Sequence, residues 1–225
     1  MGNALNKAYD NEQSLKAKVI QRLRETKRFG SKPLIATEYC VGSTGVRADL
    51  VVASRATREI TAIEIKSAAD SLKRLPHQLD AYGRYFDLVI LVAAHRHQRH
   101  VRQIQTPGLE IWEVEKSGTL AVVRSSDLVS RTENLSDLLN QRDKVRYRGL
   151  VERGDEGSRD AFFAAFEDRH GVTSDRFWSA VSGKITADNV AALSRFEVER
   201  SDRKRQHLME MQSYTSWLSL ESCAA

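Results

Sequence analysis

Val46-Arg47-Ala48-Asp49-Leu50-Val51-Val52, then Ile60-Thr61-Ala62-Ile63-Glu64-Ile65-Lys66-Ser67, then Leu75-Pro76-His77-Gln78-Leu79-Asp80-Ala81-Tyr82 form the stretch that decides the fold. Side chains on a strand alternate between faces, so Glu64 and Lys66 emerge together while Ile63 and Ile65 point the other way into a core. The charged segment Ser54 to Glu59 between the first two runs reads as a hairpin turn, which lays the strands side by side and brings Asp49 next to Glu64. Gln78 and Tyr82 lie four residues apart, one helical turn, on the helix that follows.

Outward from this centre, residues 11 to 29 place Leu15, Val19, Ile20 and Leu23 at helical spacing with charges opposite, and Asp10 or Asn11 is the expected cap. Strand-like runs follow at Leu34 to Val41, Val46 to Ala53, Ile60 to Lys66 and Phe86 to Ala93, with a helix at Asp70 to Arg84 before the last of these. Helix, three strands, helix and strand in that order predict an α/β sandwich on a mixed sheet. Leu109 to Val114 and Leu120 to Val123 add one or two strands. From Ser126 onward the texture turns polar and helix-prone. Three to five helices are expected there, with Gly149 to Gly157 as a linker. The expected organisation is a core over residues 1–125 and a helical region over 126–225.

Two carboxylates as close as Asp49 and Glu64 repel one another unless a cation lies between them, and an all-oxygen set suits a hard ion such as Mg2+. On the same face, Lys66 is placed to orient or deprotonate a water, or to neutralise charge developing on a phosphate. The acid-x-Lys tripeptide is weak by itself: residue frequencies give about 1.5 chance matches in a chain of this composition, and the sequence holds three. Glu25-Thr26-Lys27 and Asp202-Arg203-Lys204 fall in helix-like polar stretches, where i and i+2 do not share a face. Only Glu64-Ile65-Lys66 lies in an apolar strand pattern, with an acid on the strand before it and an amphipathic helix after it.

Here the sequence resembles the PD-(D/E)xK nuclease superfamily. Gln78-x-x-x-Tyr82 looks like the Gln-x-x-x-Tyr element of its RecB-like and resolvase-like members. A bacterial branch of nuclease-like proteins shows a similar run, matched here by Arg47-Ala48-Asp49-Leu50, Glu64-Ile65-Lys66-Ser67, the helix Asp70-Ser71-Leu72-Lys73-Arg74-Leu75 and the strand Phe86 to Val92. The resemblance spans roughly residues 10 to 93, and Ala48 stands where the pattern usually has proline. It implies a restriction-endonuclease-like mixed sheet and a Mg2+- or Mn2+-dependent deoxyribonuclease. Asp49, Glu64 and the Ile65 carbonyl would hold the ion, with Lys66, Gln78 and Tyr82 completing the catalytic set. A third acid is expected from the same resemblance. Glu12, near the start of the first helix, and Glu38, in the first strand-like run, both qualify. Arg74, Arg47 and Ser67 are the expected contacts to nucleic acid. DNA is the expected partner, with RNA left open. A binding or partner-recruiting module without catalysis and a dimeric junction resolvase are the alternatives, the latter requiring a homodimer.

Composition bounds the rest. The chain has 225 residues, enough for a core without disulfides, and its two cysteines, Cys40 and Cys223, fit a reducing cytosol better than a secreted framework. No run approaches the roughly 20 apolar residues that cross a bilayer, and no apolar signal core opens the sequence. Residues 1 to 125 carry 20 basic against 13 acidic residues, a balance of +7 that accompanies the proposed site and favours a polyanionic partner. His95, His97 and His100 alternate with Arg96, Arg99 and Arg102, which reads as an exposed basic helix rather than a zinc site. Arg142, Lys144, Arg146 and Arg148 would share a face only if extended, and a charged linker is the simpler reading.

Overall fold

The computed structural model describes residues 12–129, 131 and 133–193. The expected helix caps Asp10 and Asn11, and Cys223, lie outside the described residues. Helix α1 (Glu12–Thr26) leads into strands β1 (Leu34–Cys40), β2 (Arg47–Ala53) and β3 (Ile60–Lys66); helix α2 (Leu75–Tyr85) and strand β4 (Leu88–Ala93) follow. A 3-10 turn (His95–His97), helix α3 (Gln98–Val101), β5 (Leu109–Val114) and β6 (Leu120–Arg124) complete the sheet. After a 3-10 turn at Leu135–Leu138 come α4 (Gln141–Arg146), α5 (Arg148–Val151), α6 (Asp155–Ala180) and α7 (Ala187–Ala191).

The six strands lie in the order β1-β2-β3-β4-β5-β6. β1, β2 and β3 pair antiparallel through short turns, β3, β4 and β5 run parallel, and β6 returns antiparallel. The connections dictate this: α2 carries the chain across from β3 to β4, as a parallel pair requires. Both faces of the sheet are covered. On one, Ala36, Val51, Ala62, Val89 and Leu91 pack with Leu79 and Tyr82 of α2 and Phe162 and Phe166 of α6. On the other, Ile35, Leu50, Ile63, Ile65 and Ile90 meet Leu15, Val19, Ile20 and Leu23 of α1. Ile63 and Ile65 thus enter the core opposite Glu64 and Lys66, as the alternation predicts. The fold is α/β, a mixed sheet flanked by helices, with a helical C-terminal region.

Residue 125 marks a change of element type rather than a gap in the packing, because α6 crosses the sheet's edge. Phe162 and Phe166 join one core and Phe177 and Trp178 the other. Along its course Ser174 Oγ accepts a hydrogen bond from the outward-facing Ile35 N–H (2.9 Å), and Trp178 Nε1 donates to the Pro33 carbonyl (2.8 Å). The edge strand β1 is therefore covered, which removes a template for unwanted pairing. Arg159 ties α6 to the body of the sheet through two parallel bonds to Asp87 (2.9 and 2.7 Å), and Asp87 Oδ2 also accepts from Ile60 N–H (2.9 Å).

Three expectations need correction. The helix after β3 starts at Leu75, five residues later than read from the pattern. Asp70 instead folds back to accept from Ser67 N–H (2.8 Å) and Oγ (2.6 Å), and Pro76, which has no N–H to give, belongs in a first turn. The segment 95–102 is a 3-10 turn and a short helix rather than an exposed helix, and His97 is buried with Nε2 3.1 Å from the Ser67 carbonyl. Residues 142–148 are mostly helical, so their alternating charges scatter around α4 and α5.

Candidate active site

The site lies where the backbone of β1 and β2 departs from regular alternation. Glu38 adopts a left-handed conformation (φ 54°), unusual for a residue with a Cβ and commonest where function holds it. In consequence Ala36 and Tyr39, three apart, point into the same core, and so do Ala48 and Val51 on the partner strand. Register pairs Thr37 with Leu50 and Tyr39 with Ala48, leaving Glu38 and Asp49 facing one another in the interruption. A cleft of about 560 Å³ opens there, lined by Glu12, Glu38, Asp49, Glu64, Lys66 and Gln78 among others.

Beneath the cleft, Glu64 and Lys66 are almost fully buried. A buried charge must be paired, and here the pairs are specific. Lys66 Nζ donates to Glu64 Oε1 (2.6 Å) and to Gln78 Oε1 (2.8 Å). The Tyr82 hydroxyl donates to Glu64 Oε2 (2.5 Å), with the Arg47 carbonyl 3.1 Å away. Burial, reinforced by the Glu64 charge, pushes the Tyr82 hydroxyl far above its ordinary range, so it remains a donor. The Gln-x-x-x-Tyr pair on α2 therefore grips the acid and the lysine of β3, fixing both rotamers from the facing layer. An ammonium has three donors, so two bonds leave Lys66 with one N–H for a further oxygen.

Asp49 is held differently. Its Oδ2 accepts from Ile65 N–H (2.6 Å), and no lysine or arginine among the described residues bonds it. Burial first and the Glu64 charge second raise its carboxyl to about 7, against the Ile65 N–H and Lys16, which pull it down. A carboxylate so placed is short of positive charge, and the oxygen donors around it fit a hard divalent ion, as the donor-set argument requires.

The two candidates for a third acid both reach the cleft. Oxygens of Glu12, Glu38 and Asp49 all lie within 4.8 Å of one another. Sequence reasoning missed what sits among them. Lys16, fully buried, extends its Nζ to Glu12 Oε1 (2.6 Å) and to Glu38 Oε1, while the other oxygen of Glu38 takes Arg47 Nε (2.9 Å). Burial opposes the charge on Lys16, but the two glutamates outweigh it and hold its ammonium above the usual lysine value. Two signals were present: Lys16 stands on the apolar stripe, three, four and seven residues before Val19, Ile20 and Leu23, and Glu12-x-x-x-Lys16 is an i, i+4 pair of the kind that usually decorates a helix surface.

Of the expected nucleic-acid contacts, Arg74 is exposed on the cleft at the start of α2, and Arg47 lies at the rim on Glu38. Ser67 is buried and turned to Asp70, so it shapes the loop leaving β3. His97 and Arg96 brace that loop from below, Arg96 reaching the Ala68 and Asp70 carbonyls. His77, Asp70, Gly42 and Gly45 also line the cleft, unforeseen from the sequence.

Fold and site together define a mixed-sheet α/β protein with an acidic, lysine-bearing cleft at one end of the sheet. By comparison with known families, the chain belongs to the family described as bacteriophage P4 protein cII, which matches residues 6–194. Among solved structures it is similar to the SPO1766 protein of unknown function from Silicibacter pomeroyi, at 15% identity and a TM-score of 0.40, covering 69% of this chain and 88% of that one. No curated protein matches. Among the described residues, no helix is long and apolar enough to cross a membrane.

Proposed function

We propose that the protein is a Mg2+- or Mn2+-dependent deoxyribonuclease of the cytosol. The observation that carries this reading is the grip on Lys66. One buried ammonium is shared by Glu64 and Gln78, its third N–H is unused, and Asp49 in the same cleft takes no hydrogen bond from a lysine or arginine among the described residues. Asp49 and Glu64, with the Ile65 carbonyl as the superfamily resemblance implies, would hold the ion. A divalent ion supplies Lewis acidity and lowers the pKa of a bound water.

The chain's own groups do the rest. Lys66 offers its remaining N–H to a non-bridging phosphate oxygen and neutralises the charge that develops there as water attacks phosphorus and the P–O bond to the leaving oxygen breaks. Gln78 and Tyr82 hold the lysine and glutamate at fixed positions, so little reorganisation accompanies the reaction. Arg74 and Arg47 at the rim draw the phosphate backbone past the acids, against the repulsion the five carboxylates of the cleft would otherwise exert.

Labelled single-stranded, duplex and branched DNA, and RNA, incubated with and without Mg2+ and Mn2+, test this directly. Cleavage of DNA is expected only with divalent ion. It should fall by at least about 100-fold in Asp49→Ala and Lys66→Ala, the scale of losing a preorganised charge. Metal-independent cleavage, or undiminished activity in either variant, would refute the proposal. Salt-sensitive DNA binding that survives Glu64→Ala, without cleavage, would point instead to a binding module on the same fold.

A further inference from the structure

We infer that Lys16 permanently occupies the place of a second metal ion, so that the site takes a single divalent cation; this rests on the metal-dependent reading above. The Glu12, Glu38 and Asp49 oxygens converge within 4.8 Å, a spacing that by itself invites an ion. The Lys16 ammonium is already there, on Glu12 Oε1 at 2.6 Å and on Glu38 Oε1. Both Glu38 oxygens already face cations, since Arg47 Nε takes the other at 2.9 Å.

A surface lysine would swing aside for a divalent ion, but Lys16 is buried and bonded to two glutamates, so its departure would break both pairs. Its side chain is 1% exposed, and its backbone is fixed by Leu15, Ala17, Val19 and Ile20, all buried in the core beneath β2 and β3. The arrangement therefore divides four carboxylates between two kinds of cation. Glu12 and Glu38 answer to a lysine built into the fold, and Glu64 is shared with Lys66. Asp49 is left as the anchor of the one exchangeable ion.

Counting bound Mn2+ on the full-length protein, by calorimetry and by the paramagnetic resonance signal of the free ion, tests this without reference to activity. Wild type should bind one ion per chain. Lys16→Met, which keeps the apolar stem and removes the charged end, should bind two, with the spectral broadening of a coupled Mn2+ pair. Lys16→Gln is the second variant; it retains a hydrogen-bond donor to the glutamates and so keeps the fold if methionine does not. Two ions on wild type would overturn the inference while leaving the nuclease reading intact. One ion on both variants would overturn it equally. No ion on wild type would sink the metal-dependent reading and this inference with it. The wild-type count stands whether or not the variants fold.

Discussion

Replacing Asp49 by asparagine should stabilise the metal-free protein at neutral pH. The carboxyl rises from its ordinary 3.8 to about 7 on folding. Its proton is thus held more tightly in the folded state, and the sign follows: below about pH 4 folding pays nothing for this group, the penalty grows as pH climbs from 4 to 7, and it is complete above 7. About 3 units at 1.36 kcal/mol each gives roughly 4 kcal/mol at pH 8. Local relaxation and water entering the cleft reduce that to about 2–4 kcal/mol. Asparagine is neutral throughout and keeps an oxygen to accept the Ile65 N–H, so only the charge is removed.

In a chain of this size 1 kcal/mol corresponds to about 2–4 °C, so the variant should melt roughly 5–15 °C higher at pH 8 in chelator. At pH 4.5 the same comparison should shrink to about 1 kcal/mol, because there the folded wild type is protonated. Mg2+ should close most or all of the gap. Wild type gains about 2.7 kcal/mol when the ion stands 100-fold above its Kd, and the variant gains little. Melting curves at two pH values, with chelator or Mg2+, provide the full comparison. If the stabilisation is absent at pH 8, or equal at both pH values, Asp49 is not the charge-starved carboxylate described above.

Other perturbations separate site from scaffold. Lys66→Met should abolish cleavage and destabilise by about 3 kcal/mol, the scale of leaving a buried charge unpaired, and adding Glu64→Gln should restore most of the stability but none of the activity, as denaturant melts would show. Tyr82→Phe removes the 2.5 Å bond to Glu64 and should cost about 1.5–3 kcal/mol while lowering kcat about 10- to 100-fold, measured by melts and initial rates. Arg159→Ala loses both bonds to Asp87 and should destabilise by about 2–3 kcal/mol with cleavage at permissive temperature unchanged; a large fall in kcat there would contradict a purely scaffolding role.

The central strands were legible because their alternation is clean. Ile63 and Ile65 against Glu64 and Lys66 could only be a sheet with one charged face, and the helix stripe of Leu15, Val19, Ile20 and Leu23 was equally plain. Helix α6 is harder to read. Its apolar residues serve two cores at once, Phe162 and Phe166 on one side of the β1 edge and Phe177 and Trp178 on the other, so no single stripe runs along its 26 residues. At the site, spacing brought out Asp49, Glu64, Lys66, Gln78 and Tyr82. Glu38 gave no hint of its positive φ, since nothing local in Ala36-Thr37-Glu38-Tyr39 favours a left-handed residue. Lys16 was legible but easily overlooked: it stands three, four and seven residues before Val19, Ile20 and Leu23, on the apolar stripe of α1, and only its partner Glu38 is supplied by the strand interruption above it.

That interruption explains why charge accumulates at this end of the sheet. A regular β1–β2 ladder would send Glu38 and Asp49 to a fully packed face, where two adjacent carboxylates without cations would be prohibitive. Breaking the alternation opens a cleft instead, and each flanking layer then delivers one counter-charge or its holder. α1 brings Lys16 from below, anchored by its own core residues, while α2 brings Gln78 and Tyr82 from above to fix Lys66 and Glu64. Among the described residues, Asp49 takes a hydrogen bond only from a backbone N–H of β3, and Lys16 acts on it through its charge alone. The same packing that makes the other three acids tolerable thus leaves one carboxylate whose charge the fold does not satisfy. A fold that neutralised Asp49 as well would be more stable at pH 8 and would have no place for an exchangeable ion.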